Sequence, residues 1–225
     1  MNESIFLLHL FAVAGATLFA FRRGKETLIA WIGLQAVLAN FFVLKQISLI
    51  GCTITCSDSF AIGTIFGLNL LREYAGKEIA NRALITSFIL MGLFIVMSQI
   101  HLLYTPSPLD FSQSAYQTLL DPSPRLLFAS LATFALVQKG EVFLFAFLKN
   151  RFPNISFTLR NMVSTTLSQI VDTALFSFLG LYGIVACLNH VMLMSFMTKI
   201  LIISLTGPLL AFAKRLAPKR GYDVL

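Results

Sequence analysis

Residues 160–176 read RNMVSTTLSQIVDTALF and open an apolar run that continues to about residue 188. The run is long enough to cross a bilayer as a helix, yet Gln169 and Asp172 lie well inside it. Thr165, Gln169, Asp172 and Phe176 are spaced +4, +3, +4, which places their side chains on one helical face. A charge at membrane depth costs at least about 2.5 kcal/mol unless it faces a cavity or a partner. The stretch therefore predicts a membrane-spanning helix with one polar face that binds a ligand.

The composition predicts an all-α, polytopic integral membrane helix bundle. Hydrophobic residues make up 57% of the chain and charged residues only 12%, whereas a soluble domain has about 25% charged residues. The formal net charge of +7 comes from basic residues in short loops and at the C-terminus, where signals that orient a membrane protein belong. No basic stripe with interleaved aromatic residues is present, which argues against nucleic-acid binding. The three cysteines and three histidines form no ligand set, so neither a metal nor a cofactor is expected.

Seven apolar runs fit transmembrane helices, and they lie at about residues 4–21, 27–44, 54–71, 83–104, 126–148, 161–188 and 190–213. Lys and Arg follow the first, third, fifth and seventh runs, and the alternate loops are poor in them. The positive-inside rule then places the N-terminus outside and the C-terminus in the cytoplasm. Prolines between residues 105 and 124 predict an irregular external segment. Residues 1–225 are therefore predicted to form a single transmembrane domain of about seven helices.

The fifth run repeats the polar stripe of the sixth. Phe134, Gln138, Glu141 and Phe145 have the same spacing as the stripe in 160–176, offset by 31 residues. The two helices are expected to form an antiparallel hairpin around the basic 149–160 loop. With a rise of 1.5 Å per residue, Glu141 lies on the order of 10 Å and Asp172 on the order of 17 Å from the cytoplasmic helix ends. The two stripes are therefore predicted to face each other at similar depth.

Other polar residues allow more than one interpretation of the bundle. Asn69 and Glu73 are i,i+4 near the cytoplasmic end of the third run, and Lys199 lies at mid-depth in the seventh. A purely structural alternative pairs Lys199 with Asp172. An integral-membrane enzyme acting on lipid would use Asp172 and Glu141 as acid and base, but no metal-ligand cluster or nucleophile–base pair accompanies them. We therefore predict no catalytic residues, and a purely structural membrane subunit would leave the intramembrane acids unexplained.

Four blocks of the sequence resemble the queuosine precursor transporter family, bacterial inner-membrane proteins of vitamin-uptake-like type. They are Leu38–Lys45, Asn69–Lys77, Gln138 with Glu141, and Arg160–Thr173. The last block, with Arg-Asn at its start and Gln-x-x-Asp-Thr at its end, is the most specific. The resemblance covers residues 28–210 and implies six family-core spans, with residues 1–25 as an additional N-terminal span. The chain departs from the family pattern at Asp58, Asn69 and Glu141.

The resemblance implies a membrane transporter that imports a 7-deazaguanine: 7-cyano-7-deazaguanine, 7-aminomethyl-7-deazaguanine or queuine, which serve tRNA modification. The alternative within transport is the substrate-binding subunit of an energy-coupling-factor importer, since the chain itself has no ATP-binding signature. A homo-oligomer is left open. The predicted substrate-binding residues are Asp172 or Glu141 on the guanidine-like edge of the base, Gln138 and Gln169 on its other polar atoms, Phe134 or Phe176 as stacking walls, Asn69 and Glu73 as the cytoplasmic closure, and Lys199 as the balancing charge.

The charge pattern makes a topology prediction. A reporter fused after Lys25 or Lys149 should read cytoplasmic, and one inserted within 108–121 should read external, because the basic loops stay inside. Paired phosphatase and fluorescent-protein fusions measure both sides. A cytoplasmic signal from the 108–121 fusion would contradict either the number of spans or the orientation.

Overall fold

A computed structural model describes residues 1–152 and 157–200, except for the side chains of residues 62, 77, 135, 138, 139, 141, 142, 145, 146, 149, 157–162, 164 and 165. Its helices are α1 (Asn2–Arg23), α2 (Lys25–Phe42), α3 (Asp58–Tyr74), α4 (Lys77–Leu102), α5 (Gln113–Leu120), α6 (Ser123–Arg151) and α7 (Phe157–Phe176). A π-helical turn, Ser177–Leu181, continues α7, and residues 188–200 form the described part of helix α8. Strands β1 (Gln46–Leu49) and β2 (Cys52–Thr55) pair antiparallel, with Gln46 opposite Thr55.

The helices follow the predicted apolar runs, with three departures. The sixth run was predicted to continue to about residue 188, but its helical part ends at Leu181 and residues 182–187 form a non-helical turn. The third run was predicted to begin at residue 54, but residues 46–55 form a β-hairpin and α3 begins only at Asp58. The all-α prediction therefore holds for the helices but misses this hairpin. The segment between α4 and α6 is not wholly irregular, since it contains α5, and Pro124 lies in the first turn of α6. The end of the seventh run, 201–213, lies outside the described residues.

Helices α1 to α4 are joined at one end of the bundle by very short connections. Gly24 alone separates α1 from α2, and Ala75 and Gly76 separate α3 from α4. Both glycines have positive φ, +121° and +87°, a region that side-chain-bearing residues rarely adopt. These turns hold the helices together over a buried apolar cluster formed by Ala20, Phe21, Leu28, Ile32, Phe66, Leu70, Leu71, Ala75, Ala80 and Ala83.

The β-hairpin lies at the opposite end and connects distant parts of the chain. The side-chain amide of Asn2 donates to the Ser48 carbonyl at 2.8 Å. Glu3 accepts a hydrogen bond from the backbone N–H of Ile50 at 3.3 Å. On its other side, Gln46 accepts a hydrogen bond from the Ala186 N–H at 3.0 Å. The N-terminus, the hairpin and the turn before α8 therefore meet at one end, as the alternation of loops predicts.

Helix α5 is fixed at the same end by hydrogen bonds at both of its ends. Asp110 accepts bonds from the hydroxyl and the backbone N–H of Ser112, each at 2.7 Å. These bonds hold the pKa of the exposed Asp110 carboxyl below its ordinary value. Gln99 of α4 donates to the carbonyl of Leu120, the last residue of α5. Helix α5 is thereby tied to the end of α4.

Helix α3 packs closely on α1 and α2 through Ser59, Gly63 and Gly67, which recur every four residues. A Cβ at Gly63 would overlap Oε1 of Gln35 and Cγ1 of Val13. Gln35 is 0% exposed, and its amide has no hydrogen-bond partner among the described residues. Small residues permit such close helix approach. Gly63 is therefore needed to accommodate the long side chain of Gln35.

Within residues 1–152 and 157–200, two helices are apolar and long enough to cross a membrane: Asn2–Arg23 and Glu78–Leu102. Only 28% of each apolar window is buried in the protein, so most of their surface is available to lipid. Helix α3 has 17 residues, about 25 Å, against a hydrocarbon core of about 30 Å. The count of seven spans and the orientation of the termini remain predictions.

The packing at Gly63 predicts the effect of a single methyl group. Gly63→Ala should lower the melting temperature of the detergent-purified protein by about 3–10 °C, because overpacking costs about 1–3 kcal/mol. Gly15→Ala in α1 is the matched control, since a Cβ there meets nothing within 4 Å. Adding Gln35→Ala to Gly63→Ala should recover part of the loss. Equal melting temperatures for Gly63→Ala and Gly15→Ala would show that the helices do not approach this closely.

Candidate functional site

Helix α7 is held in place at its far end by a residue of α6. The guanidinium of Arg125 donates to the carbonyl of Leu179 at 2.9 Å and to that of Tyr182 at 2.7 Å. A cation at a helix C-terminus satisfies free carbonyls and complements the helix dipole. The start of α6 therefore lies beside the end of the α7–π segment, so the two helices run antiparallel, as predicted. π-helical turns are frequent near functional sites, and this one follows Asp172 by five residues.

The structure joins Asp172 directly to Lys199 of α8. The Lys199 ammonium donates to the Asp172 carboxylate at 2.5 Å and to the Thr173 hydroxyl at 3.2 Å. The two charged side chains are 16% and 28% exposed, lysine first. Lys199 and Asp172 lie among mainly apolar residues of α8 and α7, where an ion pair removes much of the cost of either charge alone. This pair is the charged centre of the candidate site.

A second carboxylate, that of Asp58 in α3, contacts α8 at Ser195, one helical turn before Lys199. Ser195 donates from its hydroxyl to Oδ1 of Asp58 at 2.7 Å. The other oxygen of this carboxylate, Oδ2, is buried and has no hydrogen-bond partner within the described part of the chain. Two carboxylates, from α3 and α7, thus face α8, and the Lys199 ammonium is bonded to that of α7.

Sequence reasoning did not assign Asp58 or Ser195 to the site. Asp58 was placed within the third apolar run. It is the first residue of α3, and its carboxylate accepts an interhelical hydrogen bond from Ser195 of α8. The signal was available in the seventh run, because Ser195 and Lys199 are i,i+4 and share a helical face. That face could have indicated a carboxylate partner for each residue.

A cleft of about 270 Å³ lies between α7 and α8 beside the ion pair. Thr173 and Asn189 contribute its polar atoms, and Ile170, Met192 and Phe196 are among its apolar walls. Its volume is near the lower end for ligand pockets, about 300 Å³. Asn189, Met192, Phe196 and Lys199 are spaced +3, +4, +3, so the cleft wall and the lysine belong to one face of α8. The sequence analysis missed this face.

The remaining predicted residues occupy varied positions. Gln169 is half-buried, one helical turn before Asp172. Phe176 packs against the apolar cluster of Val43, Leu126, Leu181, Val185 and Val191. The Phe134 ring contacts that of Phe88 in α4, with centroids 5.2 Å apart.

Asn69 and Glu73 lie towards the opposite end of α3 from Asp58. Asn69 is half-buried and Glu73 is exposed. Asn69 is 11 residues beyond Asp58, about 16 Å along the helix. The side chains of Gln138 and Glu141 are outside the described residues, so the predicted meeting of the two polar stripes stays a prediction.

The described helices, two of them long and apolar enough to cross a membrane, carry an ion pair beside a cleft, and the comparison with known families identifies the class of protein. A family model described as "putative vitamin uptake transporter" matches residues 59–213. The chain belongs to this family of membrane transporters, and it is therefore a transporter and not an enzyme.

A relative with a more specific description is the "Probable queuosine precursor transporter" of Bacillus subtilis (strain 168). It is 32% identical over 200 residues, which cover 87% of this chain and 86% of the relative. The family resemblance inferred from the sequence motifs is thus confirmed. None of the solved structures matches the chain.

The hydrogen bonds of Arg125 predict a stability effect at the edge of the site. Arg125→Met removes both bonds to the α7–π terminus, and because this site is exposed the expected cost is about 1 kcal/mol. The melting temperature should fall by about 2–4 °C. Arg125→Lys keeps the charge but not the two-pronged geometry, so its melting temperature should fall by less. Arg82→Met, the same change at an exposed arginine of α4, is the control. If it lowers the melting temperature as much as Arg125→Met does, the effect comes from the lost positive charge and not from the two hydrogen bonds.

Proposed function

We propose that this protein imports queuosine precursors of the 7-deazaguanine class across the bacterial inner membrane into the cytoplasm. The observation that carries the proposal is the 32% identity, over 87% of the chain, to a relative described as a probable queuosine precursor transporter. The direction of import, the multi-pass inner-membrane location and the identity of the base are parts of the proposal. The candidate substrates are 7-cyano-7-deazaguanine, 7-aminomethyl-7-deazaguanine and queuine.

The chemistry of Asp172 suits this class of ligand. A guanine-type edge presents a ring N–H and an amino group side by side, and an ionised carboxylate accepts both in a bidentate arrangement. The carboxylate is held by Lys199 at 2.5 Å, so a base that binds here must take the place of the ammonium on at least one oxygen. Lys199 thereby keeps Asp172 ready for binding and also competes with the ligand.

The cleft beside Asp172 supplies the other features that a flat bicyclic base requires. Phe196 offers an aromatic face at the cleft wall, a role that the sequence analysis gave to Phe134 or Phe176. Thr173 and Asn189 can hydrogen-bond polar atoms of the base, together with the predicted Gln169. In this proposal Glu141 and Gln138 complete the site from α6, and Asn69 and Glu73 close the path on the cytoplasmic side.

The proposal is tested with Asp172→Asn. The amide replaces one acceptor with a donor, which opposes a donor of the base. The loss of a charge-assisted pair in a dry site should cost about 2–4 kcal/mol, roughly 30- to 1000-fold in affinity. Uptake of the three labelled deazaguanines is measured in cells that lack both their synthesis and native transport, alongside the amount of detergent-stable protein.

Asp121→Asn, in the connection between α5 and α6, is the matched control and should transport normally. If Asp172 were only the structural partner of Lys199, Asp172→Asn should lose folded protein, and adding Lys199→Met should restore both folding and uptake. Normal uptake by well-folded Asp172→Asn would remove the binding role of this residue.

A further inference from the structure

Two carboxylates contact the described part of α8, but only one of them is bonded to an ammonium. They belong to Asp58 of α3 and Asp172 of α7, and the Lys199 ammonium is bonded to that of Asp172. Asp58 is held at Oδ1 by the Ser195 hydroxyl, while its buried Oδ2 lacks a hydrogen-bond partner among residues 1–152 and 157–200. A buried carboxylate without a full set of donors is expensive. Among the described residues, Asp58 therefore has one oxygen without a donor, and its carboxylate contacts the face of α8 that also carries Lys199.

Lys199 lies close to Ser195 on α8. Ser195, which bonds Asp58, and Lys199 are i,i+4 on α8, so their Cβ atoms are about 5–6 Å apart on one face. The lysine side chain has a flexible four-carbon stem with three donors at its end. A change of side-chain rotamer therefore turns the ammonium from Asp172 towards the part of α8 that carries Ser195.

We propose that Asp58 is the second acceptor of Lys199, the position to which the ammonium moves when a ligand occupies Asp172. Without ligand, Lys199 pairs with Asp172. When a neutral base binds the Asp172 carboxylate, Lys199 pairs with Oδ2 of Asp58, so the ammonium has a carboxylate partner in both states. Asp58 is thus a positioning residue: it acts on the ligand through Lys199. The role in ligand binding rests on the proposed function, whereas the pairing with two acceptors does not.

The two-acceptor arrangement is tested first without ligand, by thermal unfolding of the full-length protein in detergent. Asp58→Asn and Asp172→Asn should each lower the melting temperature by only a few degrees, because the other carboxylate still holds Lys199. The double variant leaves a half-buried ammonium without a carboxylate and should lose on the order of 10 °C, more than the sum of the single losses. Adding Lys199→Met to the double variant should remove this excess.

Additive losses, or an excess that persists with Lys199→Met, would overturn the proposal. If the double variant yields no folded protein, the triple variant decides: recovery of detergent-stable protein supports the shared lysine, and failure to recover overturns it. Asp110→Asn, at an exposed carboxylate of the α4–α5 connection, is the control: combined with Asp172→Asn, it should show no loss beyond the sum of the two single losses.

Ligand binding supplies the second measurement, with queuine and the two 7-deazaguanine precursors as probes. Asp58→Asn should weaken binding about tenfold, equivalent to 1.4 kcal/mol, because the displaced ammonium then has no carboxylate. In the Lys199→Met background the same change should have less than about a twofold effect, since no ammonium is displaced. Equal weakening in both backgrounds, or none in either, would overturn the role of Asp58 in binding. If the unsubstituted protein binds none of the probes, the proposed substrate fails, while the thermal measurement still decides whether Asp58 accepts Lys199.

Discussion

The ion pair between Asp172 and Lys199 is the interaction on which the arrangement of the C-terminal helices depends. Each residue alone would place a largely buried charge among apolar side chains, which is costly without a partner of opposite charge. Together they require α7 and α8 to meet face to face at one depth. The cleft beside them follows from the same constraint, because Thr173 and Phe196 are carried on the faces that the pair brings together.

Helices α1 to α4 are held together mainly by close packing of apolar and small residues. Short turns at Gly24 and Gly76 fix α1 to α4 as neighbours, and glycine at position 63 lets α3 approach closely enough to enclose Gln35. The two halves are joined by contacts at the hairpin end of the bundle. Among them are the bond of Gln46 to Ala186 and that of Asp58 to Ser195. The closely packed helices α1 to α4 thus support the helices that carry the candidate site. Asp58 of α3 is the residue through which they contact α8 near that site.

The sequence predicted the helices well because long apolar runs in a weakly charged chain have few alternatives. It also predicted the pairing of Lys199 with Asp172, although only as the structural alternative, since spacing along one helix does not reveal the partner from another. The hairpin was missed because the third run was predicted to begin at residue 54, inside β2. The contact of Asp58 with α8 was missed as well, since it depends on where α3 begins. Contacts between residues far apart in sequence, such as Asp58 with Ser195, depend on packing that periodicity does not encode.

The separation of the site residues along the chain has a consequence for biosynthesis. The contacts among α1 to α4 are available once about the first hundred residues have been made, whereas the bonds of Gln46 to Ala186 and of Asp58 to Ser195 span 140 and 137 residues. Domains and helices made first generally assemble first during synthesis. The carboxylate of Asp58 is therefore synthesised long before the Ser195 hydroxyl that donates to it. The candidate site at Asp172 and Lys199 is thus completed late in synthesis.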